Sequence, residues 1–82
     1  MSRHELPAAD GLEVVVGWDP PLSTFFAQVW DRRLEEDDPA AELLWIGCAP
    51  REINDIQKVM DAVKPWATFP DEVKRALYRE AS

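Results

Sequence analysis

Few side chains in this sequence belong to types that do covalent or metal chemistry, and their spacing narrows the options further. The single cysteine, Cys48, follows an apolar run and precedes Ala49-Pro50, where a helix is expected to open. A helix N-terminus lowers a thiol pKa and favours the reactive thiolate. The competing expectation is a small, buried apolar residue at a strand-to-helix corner, the commoner fate of a free cysteine. His4 is the only histidine, so no second imidazole exists to build a zinc site, and His4 itself is expected to be solvated. Ser23 falls in a turn, and the one histidine lies in the expected tail, so no Ser-His-Asp arrangement is expected from the ordered chain. Gly11, Gly17 and Gly47 are scattered and form no phosphate-cradling loop. These absences give the expectation of a protein that is not an enzyme, with no cofactor and no metal site.

Carboxylates are the one abundant chemical group. Asp31, Glu35, Glu36, Asp37, Asp38 and Glu42 crowd a short segment. They lack the regular spacing that wraps oxygen ligands around calcium. The run reads as a solvated connection, or alternatively as an acidic patch that imitates a phosphate backbone. Formal net charge is −7, and residues 50–82 are balanced with six basic and six acidic groups, so the excess lies in the first part of the chain. Such a field repels phosphates and anionic lipid, and neither nucleic acid nor membrane is an expected partner. No apolar run approaches the ~18–20 residues that span a bilayer. A lone thiol and no secretory segment point to a reducing, cytoplasmic setting.

The elements that would position these groups follow from hydrophobic period and turn residues. Residues 1–10 have no period and contain a proline, and are expected to be a flexible tail. In residues 12–18, Leu12, Val14, Val16 and Trp18 alternate with Glu13, Val15 and Gly17, the pattern of a strand with one apolar face. Pro20 and Pro21 remove two backbone donors and force a turn, with Asp19 as its capping residue. Residues 24–31 read as the returning strand of a hairpin, and residues 42–47 as a third short strand. A helix is expected within residues 50–63, where Ile53, Ile56, Met60 and Val63 recur at helical spacing. Glu52 and Asp55 would complement its N-terminus and Lys64 its end. A second helix, residues 70–80, would turn Val73, Ala76 and Leu77 inward, with Tyr78 at the margin of that face and Trp66 and Phe69 as anchors. The expected fold is α+β in two layers: a three-stranded antiparallel sheet in the order β-β-β-α-α, with both C-terminal helices on one face. Residues 11–82 form its single domain.

That architecture has a consequence for the sheet's other face. If Val14, Val16, Trp18, Phe25, Ala27 and Val29 meet the helices, then Val15, Phe26, Gln28 and Trp30 face away. The third strand adds either Leu43 and Trp45 or Leu44 and Ile46 to this outer face; sequence leaves the parity open. An apolar patch of more than a few hundred Å² tends to mark an interface, and Trp is a favoured anchor.

The stretches "VGWDPPLSTFFAQVWD" and "FPDEVKRALYREA" resemble a family of small bacterial proteins found on plasmids and chromosomes. They share a Gly-Trp-Asp, Phe-Phe, Gln-Val hairpin pattern and have no known activity. The resemblance implies a bacterial, cytoplasmic origin; it implies no activity and assigns no site residue.

The expected function is therefore a noncatalytic protein–protein interaction module. It would bind a protein partner or a second copy of itself through Val15, Phe26, Gln28 and Trp30. The alternative is an acidic nucleic-acid mimic that blocks a DNA-binding protein through the patch from Asp31 to Glu42.

Overall fold

A computed structural model describes residues 2–81. Among these residues four strands and two α-helices follow in chain order, with a 3₁₀ turn (Pro39–Ala41) before the fourth strand: β1 (His4–Leu6), β2 (Leu12–Asp19), β3 (Thr24–Asp31), β4 (Glu42–Ile46), α1 (Ile56–Val63) and α2 (Asp71–Ala81). The strands form one antiparallel sheet in the order β1-β2-β3-β4, so every neighbour in sequence is a neighbour in space. The α+β class and the two helices agree with the sequence reading, but the sheet has four strands rather than three.

The extra strand comes from the stretch expected to be a tail. His4, Glu5 and Leu6 pair with Val16, Val15 and Val14. The open edge of β2 supplies backbone partners, and Leu6 adds one apolar anchor, only 6% exposed. Just before the strand, the Ser2 N–H donates to the Trp18 carbonyl at 3.1 Å and the Trp18 N–H to Ser2 Oγ at 3.0 Å. His4 is not a solvated imidazole: its Nε2 lies 3.1 Å from Glu80 on α2, tying the edge strand to the last helix.

The β2–β3 hairpin has the anticipated register, with Val14 opposite Val29, Val16 opposite Ala27 and Trp18 opposite Phe25. The last pair meets edge-to-face, ring centroids 4.9 Å apart. Asp19 caps the Pro-Pro turn by accepting from the Leu22 N–H at 3.4 Å. The parity of β4 is now fixed. Ala27 faces Ile46, Gln28 faces Trp45 and Val29 faces Leu44, so Leu44 and Ile46 join the core and Trp45 lies outside. Ile56, Val59 and Val63 of α1 and Leu77 of α2 complete that core, with Trp66 and Phe69 packed against it. α1 rests on β3 and α2 on β2. Tyr78 is turned outward, 53% exposed.

Helix α1 starts later than its apolar period suggests. Asp55 is its N-cap, accepting from the Gln57 N–H at 2.9 Å. Upstream, Arg51 has φ +54°, a left-handed conformation that no α-helix accommodates. Ile53 is held by β3 instead: its N–H donates to Thr24 Oγ1 at 2.8 Å, and its carbonyl accepts from the Phe25 N–H at 3.0 Å. Thr24 is fully buried, and this hydroxyl is the rivet between sheet and connector. Replacing it with the isosteric valine leaves the Ile53 N–H without a partner. Thr24→Val is expected to lower unfolding free energy by about 1–3 kcal/mol, with Thr24→Ser much closer to wild type. Urea denaturation of the two variants checks this; equal stabilities would mean that the hydroxyl contributes nothing.

Candidate functional site

The outer face of the sheet is not covered by a helix, and its side chains divide into two groups. Val15 and Phe26, expected to be available to a partner, are only 2% and 5% exposed. Phe26 lies opposite Gly17 and spreads across it: a Cβ at Gly17 would stand 2.5 Å from Phe26 Cζ and 2.1 Å from the Ser2 carbonyl oxygen. The missing side chain is what lets the ring lie flat on the sheet. Val15, between Glu5 and Gln28 in the cross-strand row, is buried on the same face. Both are buried, but on the face opposite the helix-covered core.

The second group stays open. Trp45 is 51% and Leu43 38% exposed. Trp30, half-buried, leans toward Trp45 with ring centroids 6.2 Å apart. Its indole N–H points to Gln28 Oε1 at 3.4 Å, and the Arg32 guanidinium lies 5.6 Å above its ring centroid. Arg32 in turn donates to Glu13 at 2.6 Å, which holds the cation over the ring. Between Trp45 and Phe26 opens a pocket of about 220 Å³, lined also by Arg3, Asp19, Leu22 and Gln28. An apolar floor with a few polar rim groups suits an inserted apolar side chain.

The acidic segment is less free than its composition suggests. Asp31 is a buried carboxylate held by Arg33, whose Nε and Nη2 each donate to it at 2.9 Å. Hydrogen bonds from the Arg33 side chain and backbone keep its pKa below the usual range. Asp38 caps the short 3₁₀ turn Pro39–Ala41 through the Ala40 N–H at 2.9 Å. Glu36 lies 3.9 Å from Arg32. Glu35, Asp37 and Glu42 are exposed. Among the described residues, no group of three or more His, Cys, Asp or Glu side chains could hold a metal ion, and no helix is long and apolar enough to cross a membrane.

Cys48 meets neither expectation. It is exposed, and it lies well ahead of the start of α1. Local desolvation and the nearby Glu52 and Glu42 carboxylates push its thiol pKa up, the opposite of nucleophile activation. Glu52 bends back to accept from the N–H groups of Gly47, Cys48 and Ala49 at 2.9, 3.2 and 3.1 Å. Those bonds lower the Glu52 pKa, and its carboxylate already fills the anion-binding concavity that the three amides create.

Sequence reasoning placed Gln28 and Trp30 on this face, and left Trp45 as one of two options. Leu43 shares that option. Arg32 over Trp30 was not foreseen; the adjacent Trp30-Asp31-Arg32 order carries no such signal, because the contact depends on the turn after β3. Among known proteins, no family model, no curated sequence and no solved structure matches this chain.

Proposed function

We propose that the chain is a noncatalytic protein–protein interaction module that docks through Leu43, Trp45 and Trp30 on the outer sheet face. The observation that carries this reading is Trp45, half-exposed beside Leu43 and Trp30 on a face without a helical cover. A large aromatic with an apolar neighbour, a nearby pocket and an arginine at the rim has the composition of an interface anchor. Val15 and Phe26 support the face from beneath instead of contacting the partner, whereas Gln28 and Trp30 remain contact residues.

The mimic of nucleic acid is the weaker reading. Asp31, Asp38 and Glu36 already have partners within the chain, which leaves few free carboxylates to imitate a phosphate row.

The test is a comparison of wild type with the double variant Leu43→Ser, Trp45→Ser. Both are measured for thermal stability, for solution mass, and for proteins retained on the immobilised chain from a lysate of the source cells. The variant is expected to fold and to lose association roughly a hundredfold or more, since each buried side chain contributes about 1.5–3 kcal/mol. Identical mass and identical retained proteins in both forms would overturn the reading.

A further inference from the structure

The outer face already holds one guanidinium, the chain's own. Arg32 lies 5.6 Å above the Trp30 ring centroid, and Glu13 accepts from its Nη2 at 2.6 Å. The ring attracts the cation through its quadrupole, and the carboxylate does so through a charge-assisted hydrogen bond. Trp45 and Glu42 make a second pair of the same kind. Trp45 is 51% exposed. Glu42 is exposed as well, and among the described residues it enters no ion pair. Three positions apart on a regular strand, the two would point to opposite faces. The register shift at Val29 and Trp30 skips Leu43 and sets Glu42 opposite Trp30, while Trp45 stays opposite Gln28. Opposite residues share a face, so this bulge turns Glu42 onto the face of Trp45. Both line a shallow groove of about 480 Å³ together with Leu43, Leu44 and Cys48, and its lining includes no basic residue. Behind local desolvation and Glu52, Glu42 also raises the Cys48 thiol pKa, so its charge is felt across the groove.

We propose that this groove takes an arginine side chain of a basic protein partner, with the guanidinium stacked on Trp45 and hydrogen-bonded to Glu42. This inference rests on the outer-face reading and names the partner's chemistry. Charge complementarity carries it. By register, Glu5, Glu13 and Glu42 share the outer face with Trp30 and Trp45. Glu35 and Asp37 stand exposed in the loop that leads into β4. The face's own cations lie elsewhere: Glu13 holds Arg32 over Trp30, and Arg3 lines the separate pocket beside Phe26.

The chain as a whole carries −7 charge, a field that draws basic segments in and repels a second copy. Arginine suits the groove better than lysine, because its planar cation is weakly hydrated and stacks on rings. Leu43 and Leu44 give its methylene stem apolar cover.

The test titrates the folded chain with a blocked pentapeptide carrying two arginines, and with its lysine counterpart, following amide and indole N–H signals by NMR. The Trp45 indole signal should move most, the arginine peptide should bind more tightly than the lysine one, and salt should weaken both. Trp45→Leu keeps apolar bulk without the ring, and Glu42→Gln keeps the shape without the charge. Each should weaken arginine-peptide binding about two- to fivefold. Asp37→Asn removes an equal charge outside the groove and should change little. Should Trp45→Leu melt early, Glu42→Gln against Asp37→Asn still decides. Equal weakening by those two, equal binding of both peptides, or an unmoved Trp45 signal at millimolar peptide would each overturn the arginine site. The Leu43→Ser, Trp45→Ser comparison decides the outer-face reading separately. If that variant loses association while no arginine peptide binds, the face docks a partner of other chemistry and only this inference falls.

Discussion

Phe26→Ala is expected to lower the unfolding free energy by about 3–5 kcal/mol, although Phe26 projects from the face of the sheet that no helix covers. The ring is 5% exposed and lies across Gly17, so truncation opens a cavity instead of trimming a surface. A domain of this size starts from the low end of about 5–15 kcal/mol. The variant should therefore melt far below wild type and be partly unfolded at ordinary temperature. Trp45→Ser, on the neighbouring strand of the same face, is expected to change stability by less than about 1 kcal/mol, because half of that ring is already in water. Thermal melts of the two variants separate them. Comparable losses would mean that Trp45 is part of the fold, and that the outer face has no contact surface to offer.

This contrast also marks how far strand alternation can be read. Alternation assigns Phe26 to the outer face correctly, but a face is not an exposure. What buries Phe26 is a cross-strand relation to Gly17 together with the approach of Ser2. That approach exists only because residues 4–6 form a strand. A three-residue segment with one apolar side chain has no period to detect, and its stability comes from the edge of β2 and from Glu80, distant in sequence. The hairpin was legible for the opposite reason. Eight-residue strands with β-branched alternation and a two-proline turn specify their register locally. The delayed start of α1 is a tertiary effect as well: Ile53 keeps the helical spacing, yet Thr24 claims its backbone.

For the candidate site, sequence supplied the face, Gln28, Trp30 and a choice of two parities for β4. The structure settles the parity through Gln28 opposite Trp45. Burial then shifts the proposed contact surface from the hairpin toward β4. The acidic run shows the limit of composition as a guide. Asp31 and Glu35 carry the same charge in the sequence, but one is locked under Arg33 and the other stands in solvent.

Gly47→Ala is expected to be as damaging as the loss of Phe26, through backbone instead of cavity. Gly47 has φ +85°, where an alanine is strained, and a Cβ there would lie 2.1 Å from the Phe25 carbonyl oxygen and 2.6 Å from Phe26 Cα. Both neighbours are main chain of β3, so no rotamer change relieves the clash; β3 or β4 must move. Strain of about 1–3 kcal/mol and overpacking of a similar size add to roughly 2–6 kcal/mol. The displacement falls on the segment that carries Phe26 and on the end of β4 beside Trp45, so the proposed contact face is disturbed together with the fold. Arg51→Gly provides the control. Arg51 also has positive φ, +54°, and glycine there relieves strain while adding freedom to the unfolded chain, so the two effects should cancel within about 1 kcal/mol. Urea unfolding of both variants is the measurement. A Gly47→Ala protein as stable as Arg51→Gly would show that β3 and β4 can separate freely, and a sheet that loose could not present Trp45 in a fixed place.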